Sequence, residues 1–397
     1  MEAADYGSLG KNDSLWCRAF CMDPAADVVI SVGFEHEDLD DEELETESIN
    51  SRLTFYPRSL SSNGTRLHPL CQSETSGIIM GTYDARIMEP QIAGDMVGIT
   101  VTNQEESIVI YNWHSGDLVV KMAPVSENPT WSIRDFTFLT SRSFVLSAEL
   151  WDGLNYTEHA LLLFTFCDES SDGAPFAVTA GVVQHIVTLL LPEVAEGQFP
   201  SGYINTAPCA SYQPRGMPFK VDDTSRTLIY DGGDYRGQSS VRMVVHTDVF
   251  IKAKQPLSVR SNDMVKARQM PWDTWGPEYT RLFMVNTPDF IDLPQKPIHG
   301  ERIIMQMTEA GEPTTYLMDF NRRAHCRQIA SGDDSALITE SSILPPSLFT
   351  KLITTSLPYT VVRIPDAHLF DGFLLDEQRL LGLRGSRPVQ GLDVFVF

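Results

Sequence analysis

Short apolar runs separated by turn residues dominate this chain of 397 residues. The runs are rich in Val, Ile, Leu and Phe, and Gly, Pro, Asn or Asp residues flank them. Their length, their β-branched side chains and the flanking turns predict β-strands. The predicted strands are residues 27–34, 95–101, 107–113, 143–150, 160–166, 226–232, 241–251, 301–307, 314–320 and 392–397.

Helical patterns are scarce in the same sequence. No stretch shows apolar positions that recur with a period of 3.6 over twelve or more residues. The segment ILPPSLFTKL, residues 343–352, allows a short helix after its prolines. The predicted fold class is therefore all-β.

The predicted strands recur in one order: strand, turn, strand, turn, strand. Regions 27–70, 95–122, 136–180 and 301–329 all follow it. Antiparallel units that repeat every roughly 40 to 55 residues are typical of propeller blades. Such blades bury their faces by stacking on one another. The sequence predicts a WD-repeat-like β-propeller of six or seven four-stranded blades. We expect the C-terminal strand to pair with the N-terminal blade and close the ring.

The domain organisation follows from this repeat. We predict a flexible N-terminal segment, residues 1–15, and a single β-propeller domain over residues 16–397. An acidic loop is inserted at residues 35–50. Between residues 185 and 270 the repeat is harder to follow, and the glycines of YDGGDYRGQSS, residues 230–240, indicate a long loop.

The stretch IVIYNWHSGDLVV, residues 108–120, allows two interpretations. His114, Ser115 and Asp117 are residue types of a small active site, whereas the flanking apolar runs are typical of a hairpin. Adjacent strand residues point to opposite faces, so His114 would not reach Ser115 as a general base. We therefore predict strand, turn, strand, with Ser115 and Gly116 in the turn.

Acidic residues outnumber basic ones by 53 to 30, which gives a formal net charge of −23. Such a surface repels phosphate backbones and anionic membranes, so we expect neither nucleic-acid nor membrane binding. The run EHEDLDDEELETE, residues 35–47, holds nine of the carboxylates. We interpret it as a solvated loop that repels itself, with a docking tail for a basic partner as the alternative.

Cysteine use and the absence of a signal peptide or a transmembrane segment indicate a cytoplasmic or nuclear protein. Six cysteines in a chain of this length do not make a dense disulfide framework, so we interpret them as reduced thiols. The first residues are acidic and lack the apolar core of a signal peptide. No apolar run is long enough for a transmembrane helix. We expect a monomer.

Motifs with a known catalytic mechanism are not found in the sequence. It contains no Gly-x-Ser-x-Gly elbow, phosphate-binding glycine loop, His-Glu-x-x-His or dinucleotide fingerprint. Asp231 and Asp234 alone supply too few ligands for calcium, and a turn is the favoured interpretation. We predict no catalytic residue, no metal site and no cofactor.

One segment is a candidate partner-binding site: MPWDTWGPEYTR, residues 270–281. It concentrates Trp272, Trp275, Tyr279 and Arg281, the residue types that dominate interface hot spots. The structural alternative is that the two Trp fill the core between blades and that Arg281 pairs with a buried Asp.

Several strings resemble one protein family. IAGDMVGITVTNQEESIVIYNWHSGDLV, residues 92–119, is similar to a blade in the C-terminal region of the F-box proteins of mushroom-forming (basidiomycete) fungi. WDTWGPEYTR, HGERIIM, YLMDFN and SLPYTVVRI resemble later parts of that region. The resemblance covers about residues 15–397 and implies that a propeller-like region selects substrates for a cullin-type ubiquitin ligase. The F-box itself, which binds the ligase adaptor in that family, is not visible.

Three functional hypotheses follow. The first is a non-enzymatic protein-interaction propeller that recognises substrates for a cullin-type ubiquitin ligase. The second is a propeller hydrolase or lyase with a site at the central channel, because the fold alone does not exclude an enzyme. The third is a scaffold that binds several partners through loops such as 35–47 and 230–240.

Overall fold

The computed structural model describes most of the chain. The described residues are 16–36, 51–80, 86–87, 89–102, 106–124, 130–151, 156–166, 176–180, 183–195, 200–207, 225–234, 240–254, 267–285, 298–309, 312–331, 337–344, 346, 349–376, 379–385 and 391–396. The predicted N-terminal segment 1–15 and all but the first two residues of the predicted acidic loop lie outside them.

The fold is an all-β, six-bladed β-propeller, which confirms the predicted fold class. Residue contacts divide the chain into two compact units. Unit 1 comprises Met1–Ser126, Phe166–Gln184 and Cys209–Val221, and unit 2 comprises Glu127–Thr165, His185–Pro208 and Asp222–Phe397. The single domain over residues 16–397 stays a prediction.

Unit 1 contains two antiparallel sheets. The first has the order β1–β2–β3–β4 and consists of β1 (Trp16–Asp23), β2 (Val28–His36), β3 (Ser51–Ser59) and β4 (Ser76–Met80). The second consists of β5 (Arg86–Ile87), β6 (Gln91–Ala93), β7 (Met96–Thr102), β8 (Glu106–Asn112), β9 (Leu118–Pro124) and β13 (Phe176–Ala180). Its order is β13–β9–β8–β7–β5, and β6 also pairs with β7. One apolar cluster fills the space between the two sheets, with Val32, Phe55, Ile99 and Trp113 among its members.

Unit 2 contains most of the remaining strands, in five sheets. The first consists of β10 (Thr130–Thr140), β11 (Ser143–Trp151), β12 (Tyr156–Phe166), β14 (Val183–Leu190) and β18 (Arg268–Met270). The second consists of β15 (Pro200–Thr206), β16 (Thr227–Asp234), β17 (Ser240–His246) and β19 (Thr280–Val285). The third consists of β20 (Ile298–His299), β21 (Arg302–Glu309), β22 (Glu312–Asp319), β26 (Tyr359–Arg363) and β23 (Leu337–Ile338). A two-stranded sheet of β24 (Ser342–Leu344) and β25 (Ile353–Thr355) and a three-stranded sheet of β27 (Gly372–Leu375), β28 (Arg379–Arg384) and β29 (Gly391–Val396) complete the unit.

Alternation of side chains across the strands builds the core of unit 2. Along β14, every second residue from Val183 to Leu189 is buried, because successive strand residues point to opposite faces. Apolar clusters fill the space between the first and second sheets, between the second and third, and between the third and the three-stranded sheet. Each sheet therefore buries faces that it could not bury alone.

The predicted hairpin at residues 108–120 is confirmed. Strands β8 and β9 pair in antiparallel fashion, and Gly116 adopts a φ of 83°, which favours glycine. Asn112 Oδ1 accepts hydrogen bonds from the backbone N–H groups of His114 (3.0 Å) and Ser115 (3.2 Å). This side chain thus shapes the turn as an Asx turn.

Five local predictions differ from the structure. Within the described residues, the C-terminal strand β29 pairs with β28 in a three-stranded sheet rather than with the N-terminal blade. The sheets of three or more strands hold three to six strands rather than four each. The predicted loop at 230–240 begins inside β16, where Asp231 lies opposite Arg242 and pairs with it at 2.7 Å. The apolar run 241–251 is a strand only to His246 and then becomes a helix. After the prolines of segment 343–352, where a short helix was allowed, the described residues 349–352 form no helix, and residues 347 and 348 lie outside the description.

Three short helices interrupt the strands of unit 2: α1 (Asp248–Ala253), α2 (Trp272–Tyr279) and α3 (Arg322–Ser331). α1 follows β17, α2 precedes β19 directly, and α3 follows β22. Among the described residues, no helix is long and apolar enough to span a membrane.

Candidate functional site

The three helices of unit 2 lie against one another. Glu278 on α2 accepts from Lys252 on α1 at 3.3 Å and from Arg322 on α3 at 3.5 Å. Arg322 also lies 3.7 Å from Asp248 on α1. Each such exposed ion pair contributes only about 0–1 kcal/mol, but together the pairs connect all three helices. We call the exposed side chains of α1, α2 and α3 the helical surface.

Two tryptophans anchor α2 beneath this surface. Trp275 is fully buried and Trp272 is 8% exposed, and their rings meet edge to face with centroids 5.1 Å apart. The indole Nε1 of Trp275 donates to the backbone oxygen of Leu190 at 3.1 Å. Both side chains belong to the cluster between the first two sheets of unit 2. Burial of aromatic side chains of this size supplies most of the attachment of a helix of eight residues.

Tyr279 and Arg281, which end the same segment, are also buried, at 4% and 3% exposure. Lys252 and Arg322 lie over the Tyr279 ring, 4.6 and 5.3 Å from its centroid. The guanidinium of Arg281 lies 4.9 Å from the centroid of the Tyr359 ring. Its Nε and Nη1 make no hydrogen bond within the described residues. Burial lowers the pKa of Arg281, and Tyr359 acts in the opposite direction.

The predicted partner-binding residues therefore lie in the interior of unit 2. Trp272 and Trp275 fill core space, as in the structural alternative, whereas Arg281 packs on Tyr359 instead of pairing with a buried Asp. The partner-binding role of Trp272, Trp275, Tyr279 and Arg281 stays a prediction. In this conformation the four side chains support the helices from the interior.

A buried polar cluster lies where β17 ends and β21 begins. His246 is fully buried, and its Nε2 donates to Glu301 Oε1 at 2.9 Å. The hydroxyl of Ser225 donates to the same oxygen at 3.0 Å. The backbone N–H of Asp248 donates to His246 Nδ1 at 3.3 Å, which assigns the ring proton to Nε2. The cluster thus ties α1 to the second and third sheets.

His325 on α3 extends this cluster. Its side chain is 2% exposed, and neither ring nitrogen has a hydrogen-bond partner within the described residues. Burial lowers the pKa of His325, although Asp319 and Glu301 act in the opposite direction. The ring is therefore neutral at pH 7 and packs as an apolar side chain under α3.

The geometry of this cluster is that of a structural network. Both nitrogens of His246 are engaged, and Ser225 donates to a carboxylate rather than to a histidine. A nucleophile needs a general base within hydrogen-bond reach, and these three residues do not provide that arrangement. Across the described residues, no three His, Cys, Asp or Glu side chains converge as a metal site.

The exposed residues of the helical surface combine apolar and basic side chains. Ile251 on α1 is 41% exposed and Ile329 on α3 is 58% exposed. Arg323 and Arg327 on α3 are exposed as well. Sequence reasoning missed α3 because its ten residues are shorter than the window in which a helical period is detected. The signal that could have found it is a run with three arginines and no acid, RRAHCRQIAS, in a strongly acidic chain.

No family model, curated protein or solved structure matches the chain. The resemblance to the fungal F-box proteins therefore stays a prediction.

Proposed function

We propose that this chain is a non-enzymatic protein-interaction propeller that binds its partner through the helical surface. A propeller fold is consistent with a protein-interaction role. The observation that carries the proposal is the exposure of Ile251 and Ile329 on two helices that ion pairs hold together. Apolar side chains surrounded by charged ones are the composition of an interface core with a polar rim.

The rigid support beneath the surface favours binding over chemistry. Trp275 and the His246–Glu301 pair fix α2 and α1 to the sheets, so the surface exists before a partner arrives. A preorganised surface loses little conformational entropy on association. Interfaces of this type bind with little backbone rearrangement.

The finer part of the proposal is substrate recognition for a cullin-type ubiquitin ligase. Its support is the resemblance of strings such as WDTWGPEYTR, residues 272–281, and SLPYTVVRI, residues 356–364, to the fungal F-box family. In this proposal the partner on the helical surface is the substrate, and the ligase adaptor is bound elsewhere.

The test is affinity capture of the tagged full chain from its native cells, followed by mass spectrometry. Three versions are compared: the unaltered chain, the double variant Ile251→Glu/Ile329→Glu, and the control Val362→Glu. Val362 is 60% exposed on β26, so its replacement introduces one of the two added charges at a matched exposure outside the three helices. Thermal unfolding of all three versions verifies that each is folded.

The proposal expects partners that the unaltered chain and the control retain and the double variant loses. Equal recovery by all three versions would show that the helical surface is not the binding site. Recovery of a cullin and its adaptor supports the ligase role. Reproducible partners without them would remove the ligase role and leave the interaction role intact.

A further inference from the structure

The outer face of α3 carries a charge opposite to that of the whole chain. The formal net charge is −23, yet α3 holds Arg322, Arg323 and Arg327 and no Asp or Glu. In the sequence, Asp333 and Asp334 follow the helix and lie outside the described residues. Positive charge is therefore concentrated within a helix about 15 Å long.

The three arginines do not play the same part. Arg322 points toward the other helices, where Asp248, Glu278 and the Tyr279 ring surround it. Arg323 and Arg327 are four positions apart, so they lie on one face of the helix, and both are exposed. Among the described residues, the Nε of Arg327 donates to the backbone oxygen of Arg323 at 3.4 Å, and no carboxylate forms an ion pair with Arg327.

Apolar surface lies on a different side of α3 from Arg323 and Arg327. Ile329 is 58% exposed at the last turn of α3, seven positions after Arg322. The buried His325 is neutral and holds the opposite face of the helix against the sheets. α3 thus presents the two guanidinium groups of Arg323 and Arg327 on one face, from a fixed support.

We propose that the outer face of α3 binds an acidic segment of a protein partner, with carboxylates at Arg323 and Arg327. This inference rests on the proposed function and names the chemistry of the partner. Guanidinium groups pair bidentately with carboxylates, which gives geometry as well as attraction. Since the rest of the chain repels anions, an acidic ligand is directed to this helix rather than spread over the surface.

A short peptide tests this directly. An extended segment of about five residues spans the helix, so the probe is a fluorescein-labelled peptide with repeated Glu-Glu-Leu-Asp-Glu units. Its binding to the full chain is measured by fluorescence anisotropy at increasing NaCl. A peptide of the same length with Lys in place of each acidic residue is the comparison. The Arg323→Glu/Arg327→Glu variant is compared with Lys351→Glu/Arg363→Glu, which reverses two exposed cations outside the three helices.

The expected result is saturable binding of the acidic peptide and not of the Lys peptide. The α3 variant should weaken peptide binding by about tenfold or more, which is equivalent to about 1.4 kcal/mol. The control variant should weaken it by less than about threefold. Added NaCl should weaken binding steadily, because exposed charges are screened. Equal affinity in the two charge-reversed variants, or no binding of the acidic peptide, would overturn the inference.

Two further outcomes separate this inference from the proposed function. If cellular partners depend on Ile251 and Ile329 but not on Arg323 and Arg327, the interaction surface stands and its acidic specificity is wrong. If the chain forms a concentration-dependent dimer that deletion of residues 37–47 abolishes, the ligand is the acidic run of a second copy. That result would overturn the assignment to a separate partner.

Discussion

His185 shows how one buried side chain links folding to pH. It is 8% exposed, stacks on Phe164 with ring centroids 4.9 Å apart, and shares a hydrogen bond with Thr188 at 3.1 Å. Burial lowers its pKa to about 4. The unfolded chain binds a proton at this residue below about pH 6.5, whereas the folded chain does not until about pH 4.

Stability should therefore fall as the pH falls from about 6.5 to about 4, by on the order of 3 kcal/mol for this residue. In His185→Gln, which stays neutral, the free energy of unfolding should depend less on pH across this range. Urea unfolding at several pH values measures it. His368→Gln, at an exposed position, is the control and should keep the pH dependence of the unaltered chain. The same slope in both variants would contradict the assignment.

Gly276 is a residue at which an ordinary rule of helix stability should reverse. Gly to Ala inside a helix usually stabilises by about 1 kcal/mol. A Cβ at Gly276 would lie 2.3 Å from the Trp272 ring, which is confined by Trp275. Gly276→Ala should therefore destabilise the protein by about 1–3 kcal/mol in urea unfolding.

A double-mutant cycle tests the cause of that reversal. In a Trp272→Leu background the confined ring is gone, so Gly276→Ala should become neutral or stabilising. Destabilisation of equal size in both backgrounds would show that the Trp272 ring is not responsible.

At the scale of elements, Arg226 joins two sheets of unit 2 through backbone carbonyl groups. It is 4% exposed and donates to the backbone oxygens of Ala207, Phe138 and Leu139. These oxygens come from the end of β10 and from the residue after β15. Arg226→Ala would leave buried carbonyl groups unsatisfied, and we expect a loss of about 2–4 kcal/mol of stability.

Thermal and urea unfolding of Arg226→Ala measure this loss. Arg384→Ala is the matched control, because its ion pair with Asp393 is exposed and contributes at most about 1 kcal/mol. Equal effects of the two substitutions would show that the carbonyl contacts of Arg226 do not stabilise the contact between the two sheets.

The strands were predictable from sequence because their pattern is local. Short length, β-branched residues and flanking turns identify β7, β8 and β11 without reference to the rest of the fold. The helices were not predictable in this way. α1 continues an apolar run that begins in β17, and α2 contains Gly276 and Pro277. Both helices are shorter than three helical turns. Their conformation depends on packing, which a single sequence does not show.

The candidate site was only partly predictable for a related reason. Residue type pointed to Trp272, Trp275, Tyr279 and Arg281, but residue type does not distinguish a buried aromatic from an exposed one. Residues 270–281 do mark the site, because they hold in place the helices that carry the exposed residues. The exposed Ile329, Arg323 and Arg327 carry no motif, and only the placement of α3 identifies them.

At the scale of the whole molecule, the net charge makes stability and peptide binding respond to salt in opposite directions. A net charge of −23 destabilises the compact chain by self-repulsion, which salt screens. Raising NaCl from about 20 mM to about 200 mM should therefore raise the unfolding temperature by a few degrees. The same change should weaken the binding of an acidic peptide to α3.

The two opposite effects of salt, on the unfolding temperature and on peptide affinity, are measured on one protein preparation by thermal unfolding and by anisotropy. Sucrose serves as the control, because it stabilises the fold by exclusion from the surface without screening charge. It should raise the unfolding temperature and leave peptide affinity unchanged. If salt strengthened both stability and binding, the contact on α3 would be apolar rather than electrostatic, and Ile329 would carry the affinity instead of Arg323 and Arg327.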